Sequence, residues 1–535
     1  MSLIKVKIDG TEVEVPPGTT ILKAAEQAGV EIPTFCYHDA LTRPANCRMC
    51  LVNTNKAPKL LPACYSTVMD GMEVTTTDPK TEKTRKSTLE FILLHHPVDC
   101  PICDQAGECT LQNHYFDHSA SKSRSFTRKN HKPKAVEIGP RVTFDAERCI
   151  VCTRCVRFCD EVSKSGELQV VQRGERSEIS TFPGRSLDNA YSLNTVDLCP
   201  VGALTSTDFR FKMRVWFLNS ANSVCSGCAR GCNIIVDHGE NRVQRYRPRY
   251  NADVNQFWMC DAGRETYQEF QQQRLDSGRV SGFEVPTKDA LSAAAAAIDA
   301  FVKERSVDAL AFVLSPLSTN EDTWGVLALA EALGVTRFYV GGRAAGQADE
   351  LLVLADKNPN RKGLETLLAA RGLTAEPLSA LTTGIASGAV GGVVWVGHEH
   401  PRNAPLEAAL QKLALRVVLT SNASVWSTGA SVIVATRTFE ESDGTWTNAA
   451  GKTQRLFRAL EPLREIPPTW DAAARIGRAL SAALPLWLSA RSVFDELVRA
   501  APTLATTWDG PSGRKQGRPD VPNPGFRAQA FPRRG

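Results

Sequence analysis

Cysteine is missing from the second half of this sequence, because all 16 cysteines lie between Cys36 and Cys260. The opening Met1-Ser-Leu-Ile-Lys-Val-Lys is typical of an amphipathic strand and not of a signal peptide, which argues against a secreted disulfide framework. The net charge of +5 is weak for 535 residues and argues against a nucleic-acid-binding protein. The longest uncharged stretches, 379–397 and 417–436, are rich in Gly, Ser, Thr and Ala and do not resemble membrane spans. We therefore expect a soluble chain of a reducing compartment.

What the sequence does contain is an ordinary globular composition, with 42% hydrophobic and 23% charged residues. The length predicts several domains. The cysteines occur in short, separate groups, and this spacing is typical of metal ligands.

The central group is Cys149-Ile-Val-Cys152-Thr-Arg-Cys155, followed at a distance by Cys199-Pro200. Three cysteines at C-x₂-C-x₂-C spacing place three thiolates on one tight loop, and a remote Cys-Pro supplies the fourth ligand of a [4Fe–4S] cluster. We therefore predict that Cys149, Cys152, Cys155 and Cys199 bind one such cluster.

Three further residues of this motif allow more than one interpretation. Cys159 stands where two-cluster ferredoxins have a ligand to a second cluster. Asp160 replaces the expected Pro, and no second motif precedes Cys199, so we interpret Cys159 as a small buried residue. Arg154 and Arg157 either offset the negative charge of the cluster or form surface salt bridges.

The first group is Cys36, Cys47, Cys50 and Cys64, with C-x₁₀-C-x₂-C-x₁₃-C spacing. Its inner pair matches the plant-type ferredoxin pattern, although the first gap is longer. A predicted hairpin around Asp9-Gly10 and a helix capped by Thr19 or Thr20 precede it. This context favours a [2Fe–2S] cluster over the alternative, a structural zinc site.

The second group, Cys100, Cys103 and Cys109, has only three cysteines, whereas a [4Fe–4S] cluster needs four ligands. His96 lies four residues before Cys100 and completes the set, with His95 as the rival position. The alternative is that the histidine only stabilises the last carbonyl groups of the preceding helix. An imidazole in place of a thiolate makes the site less negative and raises its potential.

The fourth group, Cys225, Cys228, Cys232 and Cys260, has C-x₂-C-x₃-C-x₂₇-C spacing. We predict a third [4Fe–4S] cluster here, with zinc again as the alternative. The four sets use every cysteine except Cys159.

Beyond about residue 280, predicted strands alternate with predicted helices, which indicates an α/β domain with a mostly parallel sheet. The pairs Gly341-Gly342 and Gly391-Gly392 are a weak signal for a nucleotide site and are more typical of tight turns. The expected fold class is multidomain α+β and α/β. The predicted segments are 1–78 ([2Fe–2S] ferredoxin-like), 79–118 (His/Cys₃ [4Fe–4S]), 119–217 (half bacterial-ferredoxin-like [4Fe–4S]), 218–275 (fourth cluster), 276–505 (α/β) and 506–535 (extended basic tail).

Taken together, these motifs closely resemble the large iron–sulfur subunit of respiratory complex I, the bacterial G or mitochondrial 75 kDa type. The runs from His95 to Cys109 and from Cys149 to Cys159 are the most specific part of the resemblance. In that family the histidine ligand corresponds to His96. The segments 356–360 and 441–448, with Gly451, resemble the molybdopterin-oxidoreductase body, here shortened and expected to hold no molybdenum.

The resemblance implies an electron-relay subunit with no catalytic residues of its own. Electrons would come from a flavin-bearing, NADH-oxidising partner, with the [2Fe–2S] cluster near their entry. They would pass through the histidine-ligated and central clusters to a neighbouring iron–sulfur subunit of the peripheral arm, and so towards quinone. The protein would be a peripheral subunit on the cytoplasmic side of the inner membrane. The rivals are the iron–sulfur subunit of an NAD-linked hydrogenase or formate dehydrogenase and, in another class, a zinc-rich scaffold.

Overall fold

The structure is a computed structural model that describes residues 3–119 and 122–514. The chain divides into two units, one ending at Leu218 and the other beginning at Asn219. Among the described residues, no helix combines the length and apolarity needed to cross a bilayer. Most of the predicted tail, 515–535, lies outside the described residues.

The first unit begins with a five-stranded sheet in the order β2-β1-β5-β3-β4, on which helix α1 packs. Asp9 and Gly10 have φ of 45° and 88°, so the predicted hairpin is confirmed. Thr20 caps α1 by accepting a hydrogen bond from the backbone N–H of Lys23, at 3.4 Å. The elements are β1 Ile4–Ile8, β2 Thr11–Val15, α1 Ile21–Gln27, β3 Leu51–Thr54, β4 Leu61–Pro62 and β5 Met72–Thr75.

The rest of the first unit is built from short elements that leave the cysteines in loops or at helix ends. Asp78 caps the long helix α2 by accepting from the N–H groups of Lys80 and Thr81. Strands β10, β7 and β6 form a small sheet, and β8 pairs with β9. The elements are α2 Pro79–His95, α3 Thr110–His118, β6 Val136–Glu137, β7 Val142–Phe144, α4 Arg154–Glu161, β8 Leu168–Val171, β9 Glu178–Thr181, α5 Asn194–Leu198 and β10 Leu204–Ser206.

The second unit opens with three antiparallel strands that carry the fourth cysteine group at their ends. Here the buried carboxylate of Asp237 accepts hydrogen bonds from Arg245, Arg247 and Ser220. The elements are β11 Asn219–Val224, β12 Asn233–Gly239, β13 Arg242–Pro248, α6 Asp261–Glu265 and α7 Tyr267–Gln271.

An eight-stranded sheet in the order β15-β14-β21-β20-β19-β16-β17-β18 forms the body of the second unit. The six strands from β21 to β18 pair in parallel, which confirms the predicted α/β domain. The elements are β14 Gly278–Val280, β15 Phe283–Val285, α8 Thr287–Arg305, β16 Leu310–Leu314, α9 Asn320–Ala332, β17 Arg337–Val340, α10 Arg361–Ala370, β18 Glu376–Pro377, α11 Leu381–Ala386, β19 Gly392–Val396, α12 Ala404–Leu410, β20 Leu415–Thr420, β21 Val432–Ala435, β22 Gly444–Thr447, β23 Thr453–Leu456, α13 Thr469–Ala479, α14 Ala490–Ala500 and β24 Gly513–Arg514.

Strand β16 shows why the central strands of this sheet are continuous apolar runs in the sequence. Leu310, Phe312 and Leu314 point into one core cluster, and Ala311 and Val313 point into another on the opposite face. Helices cover both faces of a parallel sheet, so every position of a central strand is buried.

The start of the predicted tail belongs to the second unit. The tilted rings of Trp508 and Phe494 pack with their centroids 4.8 Å apart, and β24 pairs with β11. These residues pack on their own chain.

Candidate metal centres

The first cysteine group is gathered at one end of the five-stranded sheet. Cys50 directly precedes β3, and Cys64 lies two residues after the end of β4. The thiol of Cys36 forms hydrogen bonds with those of Cys47 and Cys64, and the thiol of Cys50 with that of Cys64. These hydrogen bonds, of which the one with Cys47 has the largest effect, hold the pKa of Cys36 well below its usual value. The four sulfurs thus form one group, and their role as [2Fe–2S] ligands stays a prediction.

The second set lies between helices α2 and α3. His96 directly follows α2, Cys100 and Cys103 lie in the turn after it, and Cys109 is the residue before α3. Burial raises the pKa of the Cys109 thiol to about 12, and the thiols of Cys103 and Cys100 act on it in the same direction. The three cysteines are therefore close together in a shielded site.

The two neighbouring histidines have different surroundings. Nδ1 of His95 accepts a hydrogen bond from the backbone N–H of Asn130 at 3.3 Å. Nδ1 of His96 is buried and has no hydrogen-bond partner among residues 3–119 and 122–514. Burial lowers the pKa of His96 to about 4, so its ring is neutral near pH 7, the form that binds metal. The rival role, a helix-terminal histidine, fits His95, and the unpartnered nitrogen favours His96 as the ligand.

The third set lines a single cavity. Cys149, Cys152, Cys155 and Cys199 line it together with Arg154 and mostly apolar side chains. Burial raises the pKa of each of these thiols, that of Cys199 to about 11. Because thiolates are costly in such an apolar cavity, this donor set fits a cationic iron core that stabilises them.

The fourth set also lines one cavity, of about 200 Å³. Its cysteines are Cys225, Cys228 and Cys232 after β11 and Cys260 before α6. Gly263 lets α6 approach them, because a Cβ at this position would lie 3.0 Å from the sulfur of Cys225 and 3.1 Å from that of Cys260.

Backbone N–H groups point at several of these sulfurs. Val151 donates to Cys149 at 3.4 Å, and Gly263 donates to Cys260 at 3.3 Å. Hydrogen bonds to sulfur stabilise negative charge and tune the potential of an iron–sulfur site.

The loops of the first and third sets touch each other. Nη2 of Arg157 donates to the backbone oxygens of both Cys36, at 2.6 Å, and Cys152, at 3.4 Å. Thr42 donates its backbone N–H to the carboxylate of Glu161, at 2.8 Å. One nitrogen therefore joins the ligand-bearing backbones of two predicted centres.

The loops of the second and third sets also touch. The backbone oxygen of Pro200, next to Cys199, accepts a hydrogen bond from the N–H of Thr110 at 3.0 Å. A Cβ on Gly202 would lie 2.3 Å from the sulfur of Cys103. The central loop is thus in contact with the loops on either side of it.

The structure also decides how the central arginines are placed. Arg154 and Arg157 are 2% and 8% exposed, and neither forms an ion pair with a carboxylate within residues 3–119 and 122–514. The surface salt-bridge interpretation is therefore wrong. Cys159 is fully buried and does not line the cavity of the central set, as expected for a residue that is not a ligand.

Both glycine pairs of the second unit pack against protein. A Cβ on Gly341 would overlap the ring of His400, and one on Gly392 would lie 2.8 Å from the ring of Phe301. Gly342 donates its N–H to Nδ1 of His400 at 2.7 Å. These side chains fill the space beside both pairs, and Gly392 is the first residue of β19 and not part of a tight turn.

The two segments that resemble the molybdopterin-oxidoreductase body meet at the fourth cysteine loop. The N–H of Ala229 donates to the backbone oxygen of Asp356, and the N–H of Ala449 donates to that of Ala229, both at 2.9 Å. Asn360 accepts from the N–H of Thr447 at 2.7 Å. Their structural role is therefore to hold the loop between Cys228 and Cys232.

Sequence reasoning missed two cations near the predicted centres. Arg85 is 5% exposed, and its charge interacts with the thiol of Cys50. Arg343 lines the fourth cavity. Each is far from the nearest cysteine group in the sequence, so no motif could have identified it.

Four family models match successive parts of the chain. They are a 2Fe-2S iron-sulfur cluster binding domain (2–79), the NADH-ubiquinone oxidoreductase-G iron-sulfur binding region (85–124), the ferredoxin-like domain of NADH-quinone oxidoreductase subunit 3 (139–205) and the molybdopterin oxidoreductase Fe4S4 domain (218–272). The G-type subunit of Rickettsia felis NADH-quinone oxidoreductase is 42% identical over 274 residues, which cover 51% of this chain and 41% of the relative.

The chain is a homologue of the large iron–sulfur subunit of NADH-quinone oxidoreductase. The 75 kDa subunit of Reclinomonas americana NADH-ubiquinone oxidoreductase is 44% identical over 51% of this chain and 40% of its own length. The mitochondrial iron-sulfur protein 1 of Solanum tuberosum NADH dehydrogenase is 37% identical over 68% of this chain and 49% of its own. The matches confirm the resemblance and the fold class, including the [2Fe–2S] and [4Fe–4S] domains.

This homologue of the large iron–sulfur subunit matches less than half the length of each of these three relatives. A solved chain of a NAD⁺-reducing [NiFe]-hydrogenase in the H₂-reduced state is 26% identical, with a TM-score of 0.37, over 40% of this chain and 91% of that chain.

Proposed function

We propose that this chain is an electron-relay subunit of a proton-pumping NADH:quinone oxidoreductase. In the proposal it carries one [2Fe–2S] and three [4Fe–4S] clusters, which supply one-electron transfer when bound. Its ligands are Cys36, Cys47, Cys50 and Cys64; His96, Cys100, Cys103 and Cys109; Cys149, Cys152, Cys155 and Cys199; and Cys225, Cys228, Cys232 and Cys260. The named relatives and the four cysteine-bearing family matches support this proposal.

One structural observation carries the proposal furthest. The loop of the central set is in hydrogen-bond contact with the loop of the first set through Arg157 and with the end of the second set through Pro200. We infer that the central site stands between the other two in the relay. The protein's own contribution is to hold the three loops together in one unit.

The proposed partners follow from the relatives. We infer a flavin-bearing, NADH-oxidising subunit that delivers electrons near the [2Fe–2S] site and a neighbouring iron–sulfur subunit that takes them towards quinone. The inferred location is the cytoplasmic side of the inner membrane, as a peripheral subunit of the complex.

Iron, zinc and acid-labile sulfide analysis of anaerobically purified protein tests the cluster content. One binuclear and three tetranuclear clusters predict about fourteen irons per chain, with matching sulfide. Low-temperature EPR after dithionite reduction should show binuclear and tetranuclear signals. Zinc with little sulfide would establish the scaffold instead.

A matched cysteine pair tests the assignment within one helix. Cys155→Ala should lose about four irons, because Cys155 lines the cavity of the central set. Cys159→Ala should keep them all, since the Cys159 thiol lies outside that cavity. Equal iron in both variants would contradict the central assignment.

Purification of the native complex through a tag on this chain tests the whole function. The complex should contain flavin and reduce quinone with NADH. Hydrogen uptake or formate oxidation by the purified complex would support the rival assignments.

A further inference from the structure

Arg154 is a buried cation in the wall of the central cavity. It is the first residue of α4, it lies beside Cys155 in the chain, and it lines the cavity with all four cysteines of the set. Nη1 donates to the backbone oxygen of Leu198, the residue before Cys199, at 3.3 Å. Its Nε is buried, and no described residue of the chain forms a hydrogen bond with it.

The segment that carries Arg154 is also in contact with the first cysteine group. Nδ2 of Asn46, next to Cys47, donates to the backbone oxygen of Val151 at 3.4 Å, and Nη2 of Arg157 donates to the backbone oxygen of Cys36 at 2.6 Å. Arg154 stands midway between these two contacts in the chain, so the loop that carries Cys36 and Cys47 packs against the segment that carries this guanidinium.

No acidic side chain neutralises Arg154 in the described part of the chain, which is unusual for a buried charge. By contrast, Arg148 next to Cys149 forms an ion pair with Asp99, with Nη2 to Oδ2 at 2.6 Å. Burying an unpaired charge is costly. The negative charge that offsets it must come from the cysteine sites themselves.

We propose that Arg154 is a charge-compensating residue shared by the [2Fe–2S] and the central [4Fe–4S] centres and that it raises the potentials of both. This inference rests on the proposed function, since it requires both clusters. Each reduction adds one negative charge to a site, and a nearby fixed cation stabilises the reduced form more than the oxidised form. One residue would thereby keep two neighbouring potentials matched.

The test is an EPR-monitored redox titration of the full chain carrying Arg154→Gln. At a fixed ambient potential, the ratio of reduced to oxidised cluster should fall about tenfold for the central site, a shift of about 59 mV to lower potential for a one-electron couple. The binuclear signal should move in the same direction. Arg154→Lys keeps the charge and should restore most of both potentials.

Two control variants separate this role from general charge effects. Arg176→Gln removes an exposed positive charge from the same unit, and it should move neither potential. Arg85→Gln removes the buried cation near Cys50 and should move the binuclear signal alone.

Each outcome decides a different question. Wild-type protein without iron and sulfide would refute the proposed function itself. If the Arg154→Gln protein carries its clusters and their potentials are unchanged, the inference is overturned while the relay stays intact. The same holds if Arg154→Lys lowers the potentials as much as Arg154→Gln does. Failure of both variants to load either cluster would assign Arg154 to folding and would also overturn it.

Discussion

Substitution of His96 by Leu should remove one cluster. In cluster-free protein, the same substitution should not destabilise the fold. The buried Nδ1 of His96 has no hydrogen bond to lose. An unsatisfied buried polar atom costs about 1–3 kcal/mol, so an apolar side chain of similar size should leave the unfolding free energy of cluster-free protein equal or higher. The cluster loses one of its four ligands, and the iron content should fall by about four per chain.

Substitution of His95 by Leu is the matched control, because the two residues are adjacent. Nδ1 of His95 accepts from Asn130, which belongs to the segment that covers the end of α2. Lys129 in that segment also donates to the backbone oxygens of Leu93 and Leu94. Loss of the His95 bond should cost about 1 kcal/mol and should leave the iron content unchanged.

Iron and sulfide analysis, EPR and chemical unfolding of the cluster-free forms together decide between the two histidines. The two variants should behave in opposite ways. His96→Leu should bind fewer irons without being destabilised, whereas His95→Leu should be mildly destabilised and keep its full iron content. If His95→Leu loses the irons and His96→Leu keeps them, the argument from the unpartnered nitrogen is refuted.

Three further predictions concern the second unit. Burial raises the pKa of Glu440, which accepts a hydrogen bond from Tyr246, to about 8. Its proton is bound in the fold and released on unfolding, so stability should decrease from pH 4.5 to pH 8. At about 1.4 kcal/mol per pH unit, the Glu440→Gln protein should be about 3 kcal/mol more stable than the unsubstituted protein at pH 7. Thermal midpoints that depend equally on pH in both proteins would contradict this. Asp237→Asn should cost about 3–5 kcal/mol in chemical unfolding, because two buried arginines lose their carboxylate; a loss below 1 kcal/mol would show that the ion pair is dispensable. Gly263→Val should remove about four irons by crowding the sulfur of Cys225, whereas Gly510→Val, where the nearest atom to a Cβ is at 4.0 Å, should keep them all.

Asp237 also makes stability depend on pH at the acidic end. Burial alone would raise its pKa, but Arg247 and Arg245 hold it well below the usual value. The carboxylate therefore stabilises the fold above the ordinary pKa of about 3.9, and this contribution is lost as the pH falls below that value. Acid and neutral conditions should thus weaken the second unit for opposite reasons, through Asp237 and Glu440.

Local spacing was enough to predict which cysteines group together and which elements surround them. The hairpin at Asp9-Gly10 and the cap at Thr20 depend on neighbouring residues, and the structure has both. The choice between His95 and His96 could not be made from spacing, because it depends on Asn130, a residue more than thirty positions away.

The spacing of the cysteines cannot predict which of the predicted centres lie next to one another. A C-x₂-C-x₂-C loop fixes its own cluster, yet its neighbours are chosen by contacts such as that of Arg157 with the backbone of Cys36, 121 residues earlier in the chain. The burial of Arg154 has the same origin, since an arginine between two cysteines is equally compatible with a solvated surface. In the fold that side chain is buried in the wall of the central cavity, and its charge has no acidic partner in the described part of the chain. The proposed relay would therefore need two levels of information: motifs that bind each cluster, and a tertiary arrangement that brings the ligand-bearing loops together.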